Sequence, residues 1–366
     1  MSSVKLNSKT VSYDQLEKEY RGFIAPAFKV LISNRDAVME GMAIDAVTVE
    51  NSTSQSADTV NFNITNAYDL IKRDFTWTDS LLQLGNTIEV FTGYTDQLTP
   101  LFFGYISNIE FNFSSGQAPT ISVTAMDISF FMMRSGEPQI WSNKSIPDIV
   151  EEIGRKYGLT DFEIEKDTQI YPNIVKNTEA DHEFIQTLAD EFDYEFFVVG
   201  RKLYFRPFTH NRTPVMKLEW GKQLMSFRIE HDIADQVTKV VVKGNILNTK
   251  EIVYAESTKV QKLGRNSLTG VDLMKKIGTF MEVTQQVVKD EAEAKRIAEA
   301  KMQEKSMKLV TANASCIGLP EIRAGRYIEI GGLGKRLNTI YYIESATHTV
   351  DGSGYQTSFK LQGNAV

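Results

Sequence analysis

The sequence predicts a mainly β fold, α+β overall, in which two similar β-barrel domains flank a small inserted α+β module. Three observations predict it. Both ends of the chain carry short apolar or alternating segments separated by turn residues, the middle switches to a helical period, and three sequence blocks recur in the same order. The 366 residues suffice for two or three domains of ~100–200 residues each. We place the first barrel domain, with an N-terminal arm, at 1–137, the inserted module at 138–225 and the second barrel domain at 226–366. The second barrel domain carries a long polar loop at about 245–285 and one Ala-rich helix at about 290–305.

In the first domain, Phe28–Ile32, Ala46–Val49, Val60–Ile64 and Thr87–Phe91 run apolar or alternate over strand-like lengths, with Asn, Ser, Asp and Gly between them. Ile106–Phe113 and Thr120–Ala125 follow, joined by the turn Ser114-Ser115-Gly116-Gln117. Several short strands with local turns indicate a barrel or a sandwich.

The period then changes. Ser145 can cap a helix, with Asp148 at the reciprocal position of a capping box. Ile149, Val150, Ile153 and Tyr157 share one face, and Gly158 ends the helix. A second helix is expected from Thr178, with Asp181 three residues on and Phe184, Ile185, Leu188, Ala189 and Phe192 on one side. A hairpin closes the unit, Tyr194–Val199 and Lys202–Arg206 around Gly200-Arg201.

Strands return at Ser226–His231, Thr238–Lys243 and Met307–Ala314. Between them, Asp290–Lys305 places Ala294, Ile297, Ala298 and Met302 on one helical face. The stretch 245–285 is polar and glycine-punctuated, hence the long loop.

The repeat joins the two ends. Gly85–Val90 matches Gly325–Ile330, Tyr105–Asn108 matches Tyr342–Ser345, and Ile121–Thr124 matches Thr357–Lys360, at offsets of 240, 237 and 236 residues. Two readings stay open at this point: a duplicated barrel, or two unrelated meanders with similar patterning.

Composition excludes several functions. A formal net charge of −7 argues against sequence-specific nucleic-acid binding, which needs a basic face to neutralise phosphates. The same acidic surplus suggests that any internal channel is neutral or negative. The single cysteine, Cys316, allows no intramolecular disulfide and no cysteine-based metal cluster, in keeping with assembly in a reducing cytoplasm. The N-terminus has no apolar run behind a basic start, and no stretch reaches ~18 consecutive apolar residues, so neither a secretory signal nor membrane insertion is expected.

Candidate chemistry is thin. There are four histidines: His182, His210, His231 and His348. His182-Glu183 begins like a zincin helix, but Gln186 stands where the second ligand should be, so His182 reads as an exposed first-turn residue. His231-Asp232 reads as a loop pair at a strand end, and His348 as a structural residue within a strand. Gly331–Arg336 lacks the spacer and the Ser/Thr of a phosphate loop and reads as a hairpin turn. Cys316 reads as a small apolar filler. Among the 47 acidic residues, Glu151-Glu152, and Glu191 with Asp193, are the tight clusters; on helices these are ordinarily solvated faces. A carboxylate pair for glycoside cleavage stays open. We assign no catalytic, cofactor-binding or metal-ligating residue, and expect no enzyme and no cofactor.

Residues 175–206 carry a family resemblance. Val175–Ala189, with a short acidic start, Asp181, a polar pair, Phe184-Ile185 and Leu188-Ala189, resembles phage late control protein D and the hub part of the VgrG spike proteins of type VI secretion. Glu191–Phe197 and Gly200–Phe205 continue that pattern. So do Val240–Gly244, the Ala-rich helix around Ala292–Ala300, Gly318-Leu319-Pro320 with Ala324-Gly325, and the ending Tyr341–Ile343, His348, Gly354-Tyr355. The resemblance spans nearly the whole chain in order.

What it implies is a structural baseplate hub of a contractile tail: a homotrimer with two tube-type barrels per protomer, six around a channel, without an active site. Its implied partners are the tail tube or a tube-initiator protein, a trimeric spike, other baseplate proteins, and the tape measure protein as a further candidate. The second barrel ends at Gln362–Val366, so the spike is expected to be a separate polypeptide. Such a protein is assembled in the bacterial cytoplasm and released outside the cell in a virion, a tailocin or another injection particle. Two other functions stay open: a peptidoglycan-binding, LysM-like module around Ser145–Leu159, and a cell-wall hydrolase.

Overall fold

A computed structural model describes residues 4–53, 57–134, 136–208, 210–246, 251–264 and 268–366. Helix α1 (Tyr13–Glu19) opens the chain behind a capping box of Ser12 and Gln15. The first half follows with β1 (Pro26–Ile32), β2 (Ile44–Ser52), β3 (Thr59–Ile64), β4 (Thr87–Tyr94), β5 (Gln97–Asn112) and β6 (Thr120–Met126). Alternation decides which face is buried: in β3, Val60, Phe62 and Ile64 point inward while Asn61 and Asn63 face solvent. With Val30, Ile32, Val47, Val49, Ile121 and Val123 they form one apolar core. Each fully buried side chain of this kind contributes ~1.5–3 kcal/mol.

The module holds β7 (Gln139–Lys144), α2 (Ile146–Lys156), β8 (Asp161–Ile164), β9 (Tyr171–Lys176), α3 (Asp181–Phe192), β10 (Tyr194–Val199) and β11 (Lys202–Pro207). Strand β7 pairs with β9, while β11 lies between β8 and β10. The capping box of Ser145 and Asp148 starts α2, and Gly158, at φ +77°, ends its last turn. Ile149, Ile153, Phe184, Leu188, Phe196 and Leu203 form a core of their own, apart from those of the two flanking halves.

Helix α3 begins at Asp181, three residues later than the sequence suggested. Its N-cap is Ala180, without a side-chain cap. The Asp181 carboxylate is instead buried, accepting hydrogen bonds from Tyr157 at 2.6 Å and from Lys176.

The second half contains β12 (Pro214–Glu219), β13 (Leu224–His231), β14 (Lys239–Ile246), β15 (Ile252–Ser257), α4 (Gly270–Lys275), β16 (Met281–Val288), α5 (Glu291–Met307), β17 (Val310–Ile317), β18 (Arg326–Gly331), β19 (Thr339–Asp351) and β20 (Gly354–Gly363). Here three expectations are corrected. The module does not extend to 225: β12 pairs with β18, and Val215, Met216 and Leu218 join the core of the second half. The stretch 245–285 is not a long loop. Its described residues include β15, α4 and the start of β16, while 247–250 and 265–267 lie outside the described residues. Strands β15 and β16 are masked in the sequence because one face of their sheet is open, so exposed apolar residues such as Tyr254 and Val283 blur the alternation. The third correction is the N-terminal arm. Leu16 and Tyr20 sit in the core of the second half, Val4 packs on Phe197 and Tyr204 of the module, and the Val11 amide donates to Val215.

The two halves share a strand order. Among the described residues it is β1-β4-β5-β6-β3-β2 in the first and β12-β18-β19-β20-β17-β13 in the second, with corresponding strands in the same chain order. Strand β1 is antiparallel to β4 whereas β12 is parallel to β18, so the match is incomplete at one edge. The three recurring blocks fall on β4 and β18, β5 and β19, β6 and β20. Their register agrees: Thr87 faces Tyr105, and Tyr327 faces Tyr342. Strand β5 has a bulge between Ile106 and Asn108, and β19 has one between Ile343 and Ser345. Gly85 and Gly325, at φ +86° and +79°, both donate to the carbonyl one strand away, of Ile106 and Ile343. This shared irregularity favours duplication over two unrelated meanders.

Strand β2 of the first half pairs antiparallel with β19 of the second, Val47 opposite Val350 through Ser52 opposite Ser345. That seam fuses both halves, together with a two-residue strand at Arg35–Asp36 beside β1, into one thirteen-stranded sheet among the described residues. Between β13 and β17 the chain inserts a smaller sheet, β15-β14-β16, packed on α5 through Val242, Val288, Ala294 and Ile297.

Candidate functional site

The residues with chemical potential are occupied structurally. His348 is fully buried in β19. Its Nε2 lies 2.9 Å from the Ile322 carbonyl, which can only accept, so Nε2 carries the proton and Nδ1 accepts from Tyr355 Oη at 3.0 Å or Thr357 Oγ1 at 3.1 Å. Burial, aided by the nearby Arg323 charge, lowers its pKa to about 3, so the ring is neutral. His182 is not the exposed residue expected: it is buried, its ring 4.9 Å from that of Phe196, and burial lowers its pKa to about 4. The missed signal was the aromatic β10, which needs a partner over its face.

His231 is exposed at the end of β13, and the Asp232 carboxylate is turned to the Ala234 amide at 2.8 Å. His210 lies 3.6 Å from Glu165 and 3.8 Å from Glu163, beyond hydrogen-bond reach. Cys316 is buried, and burial pushes its thiol far up, away from the reactive thiolate. Gly331–Arg336 lies in the β18–β19 hairpin, where Gly332 and Gly334 take positive φ. Glu151 bonds Arg155 at 3.0 Å on the α2 surface, and Glu152 accepts from Lys144 and from Trp141 at 3.0 Å. Burial raises Glu191, and raises Asp193 to about 8; both face acidic residues of α5. The structure brings none of these candidates together into one site.

What it does bring together is a set of polar ties between the three parts. Thr92 of the first half lies 2.9 Å from Tyr355 Oη, and Tyr94 Oη donates to the Gly318 carbonyl at 2.9 Å. Buried Arg323 donates to the Leu101 carbonyl and lies 3.5 Å from Asp58. The module is tied by Glu195, which accepts from Arg206 at 2.8 Å and from Tyr342 at 2.5 Å. Arg206 also donates to the Gly325 carbonyl at 3.2 Å. The Glu195–Arg206 pair had a legible signal: a hairpin turning at Gly200-Arg201 sets position 195 opposite 206.

With the interior so used, the open features are at the surface. Beyond the bridge from Trp220 to Leu224, the outer edge of β13 is unpaired among the described residues. So is the edge of β5 beyond Ile106 on the side of β4. The open face of the inserted sheet exposes Ile252, Tyr254, Met281, Val283 and Val287. An unpaired strand edge leaves backbone donors and acceptors open to another strand, and an exposed apolar face leaves area to be buried.

The chain matches the family model described as Alg8 N-terminal domain over residues 27–352, and it belongs to that family. That description states no role, and no curated protein matches the sequence. The fold is that of tail proteins. The prophage MuSo2 43 kDa tail protein from Shewanella oneidensis matches with a TM-score of 0.69 and 13% identity, covering 92% of this chain and 98% of that one. A tail protein from Neisseria meningitidis MC58 gives 0.68 and 12%, covering 92% and 96%. The Escherichia coli c3393 protein, described as a type VI secretion component similar in structure to the T4 tail proteins gp27 and gp5, gives 0.54 and 11%, covering 88% and 74%. At these identities the likeness is one of fold. Among the described residues no helix is long and apolar enough to cross a membrane.

Proposed function

We propose that the chain is a structural tail protein, the hub of a contractile phage-like tail or injection particle. In this reading three copies form a ring whose two barrels each, six in all, meet a sixfold tail tube on one face. A threefold spike, made by a separate polypeptide, sits on the other. The division into first barrel, inserted module and second barrel belongs to the same proposal, as do contacts with other baseplate proteins and the absence of an active site. The observation that carries it is the strand order used twice, with the same register and the same bulge. A duplicated unit about a threefold axis presents six similar surfaces to a sixfold ring, and its unlike second face preserves threefold symmetry. The tail-protein folds above support this reading.

Electron microscopy of the assembled particle tests it. Three copies between tube and spike are expected; two copies, six copies or absence from that position would overturn the proposal. A clear band in zymography on cell wall would overturn its non-enzymatic part.

A second reading, peptidoglycan binding by a LysM-like module around Ser145–Leu159, is favoured by an open groove that Ile146 of this segment lines with Tyr171, Ile174, Phe184 and Glu191. Retention on insoluble peptidoglycan would favour it, and free passage would remove it.

A further inference from the structure

The seam between the halves is half of a repeating contact whose other half is vacant. Strand β19 uses one edge twice: its first part pairs with β18 as far as Ile343, and its second, 345–350, pairs with β2. The corresponding strand β5 pairs with β4 as far as Tyr105, and its second part, 108–112, with Phe113 just beyond it, pairs with no strand on that edge among the described residues. Likewise β2 is covered by β19, while its counterpart β13 is an open edge. The repeat therefore supplies one occupied pairing and two unpaired edges of the same two types.

Burial follows the same division. At the seam, His348 and Val350 are 0% and 3% exposed. Their counterparts across the shared bulge are Phe111 and Phe113, 45% and 66% exposed, whose rings touch Phe75 and Tyr68 of their own chain. On the other edge, Val47 and Val49 are 1% exposed, whereas their counterparts Phe227 and Ile229 are only partly buried. Two exposed phenylalanines on an unpaired strand edge invite pairing.

We infer that β13 of one copy of this chain pairs antiparallel with residues 108–112 of β5 and the adjoining Phe113 in the next copy, with Phe227 opposite Phe113, Ile229 opposite Phe111 and His231 opposite Ile109. The register is that of the seam, carried over residue by residue: Val47 opposite Val350, Val49 opposite His348, Asn51 opposite Ala346. The contact is head-to-tail, so it propagates from copy to copy instead of making a two-fold dimer, and its closure into a ring belongs to the hub reading. It rests on the hub reading for the number of copies, and on the repeat for the register. Glu110 meets Glu230 in this register, a like-charge cost, and Arg228 reaches Glu110 diagonally while facing Asn112.

Two singly substituted chains, Phe113→Cys and Phe227→Cys, are mixed and oxidised mildly with diamide; buried Cys316 stays silent. A disulfide-linked dimer is expected from the mixture and from neither chain alone. Phe111→Cys with Ile229→Cys is a second in-register pair, in case Phe227→Cys folds poorly. Phe113→Cys with His231→Cys is the off-register control. In it the thiols lie about 14 Å apart along the strand at about 3.4 Å per residue, whereas a disulfide needs Cα atoms about 4.4–6.8 Å apart. Linkage of the control equal to the in-register pairs, or no linkage by either in-register pair, overturns the inference. Particles carrying both substitutions in one chain should give linked species up to three copies. A particle that lacks the chain fails the hub reading, while in-register linkage of the free chain still establishes the contact.

Discussion

The hydroxyl of Tyr355 lies 3.0 Å from Nδ1 of His348, across the β19–β20 hairpin, inside a core that neither ring leaves. The same hydroxyl lies 2.9 Å from Thr92 of the first half, so one oxygen joins two polar groups of different halves. Tyr355→Phe removes it and leaves an imidazole nitrogen and a threonine hydroxyl competing for fewer partners. The expected loss is ~1–3 kcal/mol in urea unfolding, the cost of stranding a buried polar group. An unchanged midpoint would mean that Thr357 alone satisfies His348.

The pH dependence of His182 has a definite sign. Its folded pKa is lowered from 6.5 to about 4 by burial, so below 6.5 the unfolded chain takes up a proton that the folded chain refuses. Its contribution is whole above that pH and is lost as pH falls from 6.5 toward 4. Burial raises Asp58 to about 7 and Asp193 to about 8, and these act in the opposite direction, so a comparison isolates the histidine. Between pH 7.5 and 5, His182→Phe should gain about 2 kcal/mol relative to the parent chain, at ~1.4 kcal/mol per pH unit. Parallel stability curves for the two proteins would contradict this.

Arg206 and Glu195 stand opposite each other on β11 and β10, both buried. Arg206→Ala leaves the carboxylate in the interior with only the Tyr342 hydroxyl, and should cost ~3–5 kcal/mol. The paired change Arg206→Met with Glu195→Leu should cost less, since it removes both charges. Chemical denaturation of the three proteins measures the difference; equal losses would show that packing, not charge, is at stake.

Gly318 has no room for a side chain. A Cβ there would fall 1.9 Å from Cγ of Tyr355. Gly318→Ala should therefore lower stability by ~1–3 kcal/mol through forced repacking of the ring. Near-UV circular dichroism should also change, because Tyr94, bonded to the Gly318 carbonyl, moves with it. A fully native spectrum and midpoint would refute the close fit.

Local features were decided by local residues. Val60, Phe62 and Ile64 alternate with asparagines, and that alone sets the buried face of β3. Ser145 and Asp148 satisfy each other's backbone amides whatever surrounds them, so the start of α2 could be placed to the residue. Asp290 and the apolar face of α5 were legible for the same reason, and the recurring blocks carried even the shared bulge. Tertiary structure alone decided what depends on distant partners. Asp181 is held by Lys176 and Tyr157 rather than capping α3, His182 is covered by Phe196, and Leu16 and Tyr20 pack on the half of the protein farthest from them in sequence. The seam of Val47 and Val350 is of this second kind: alternation says that each strand has an apolar face, but which edge meets which is settled only when both halves exist.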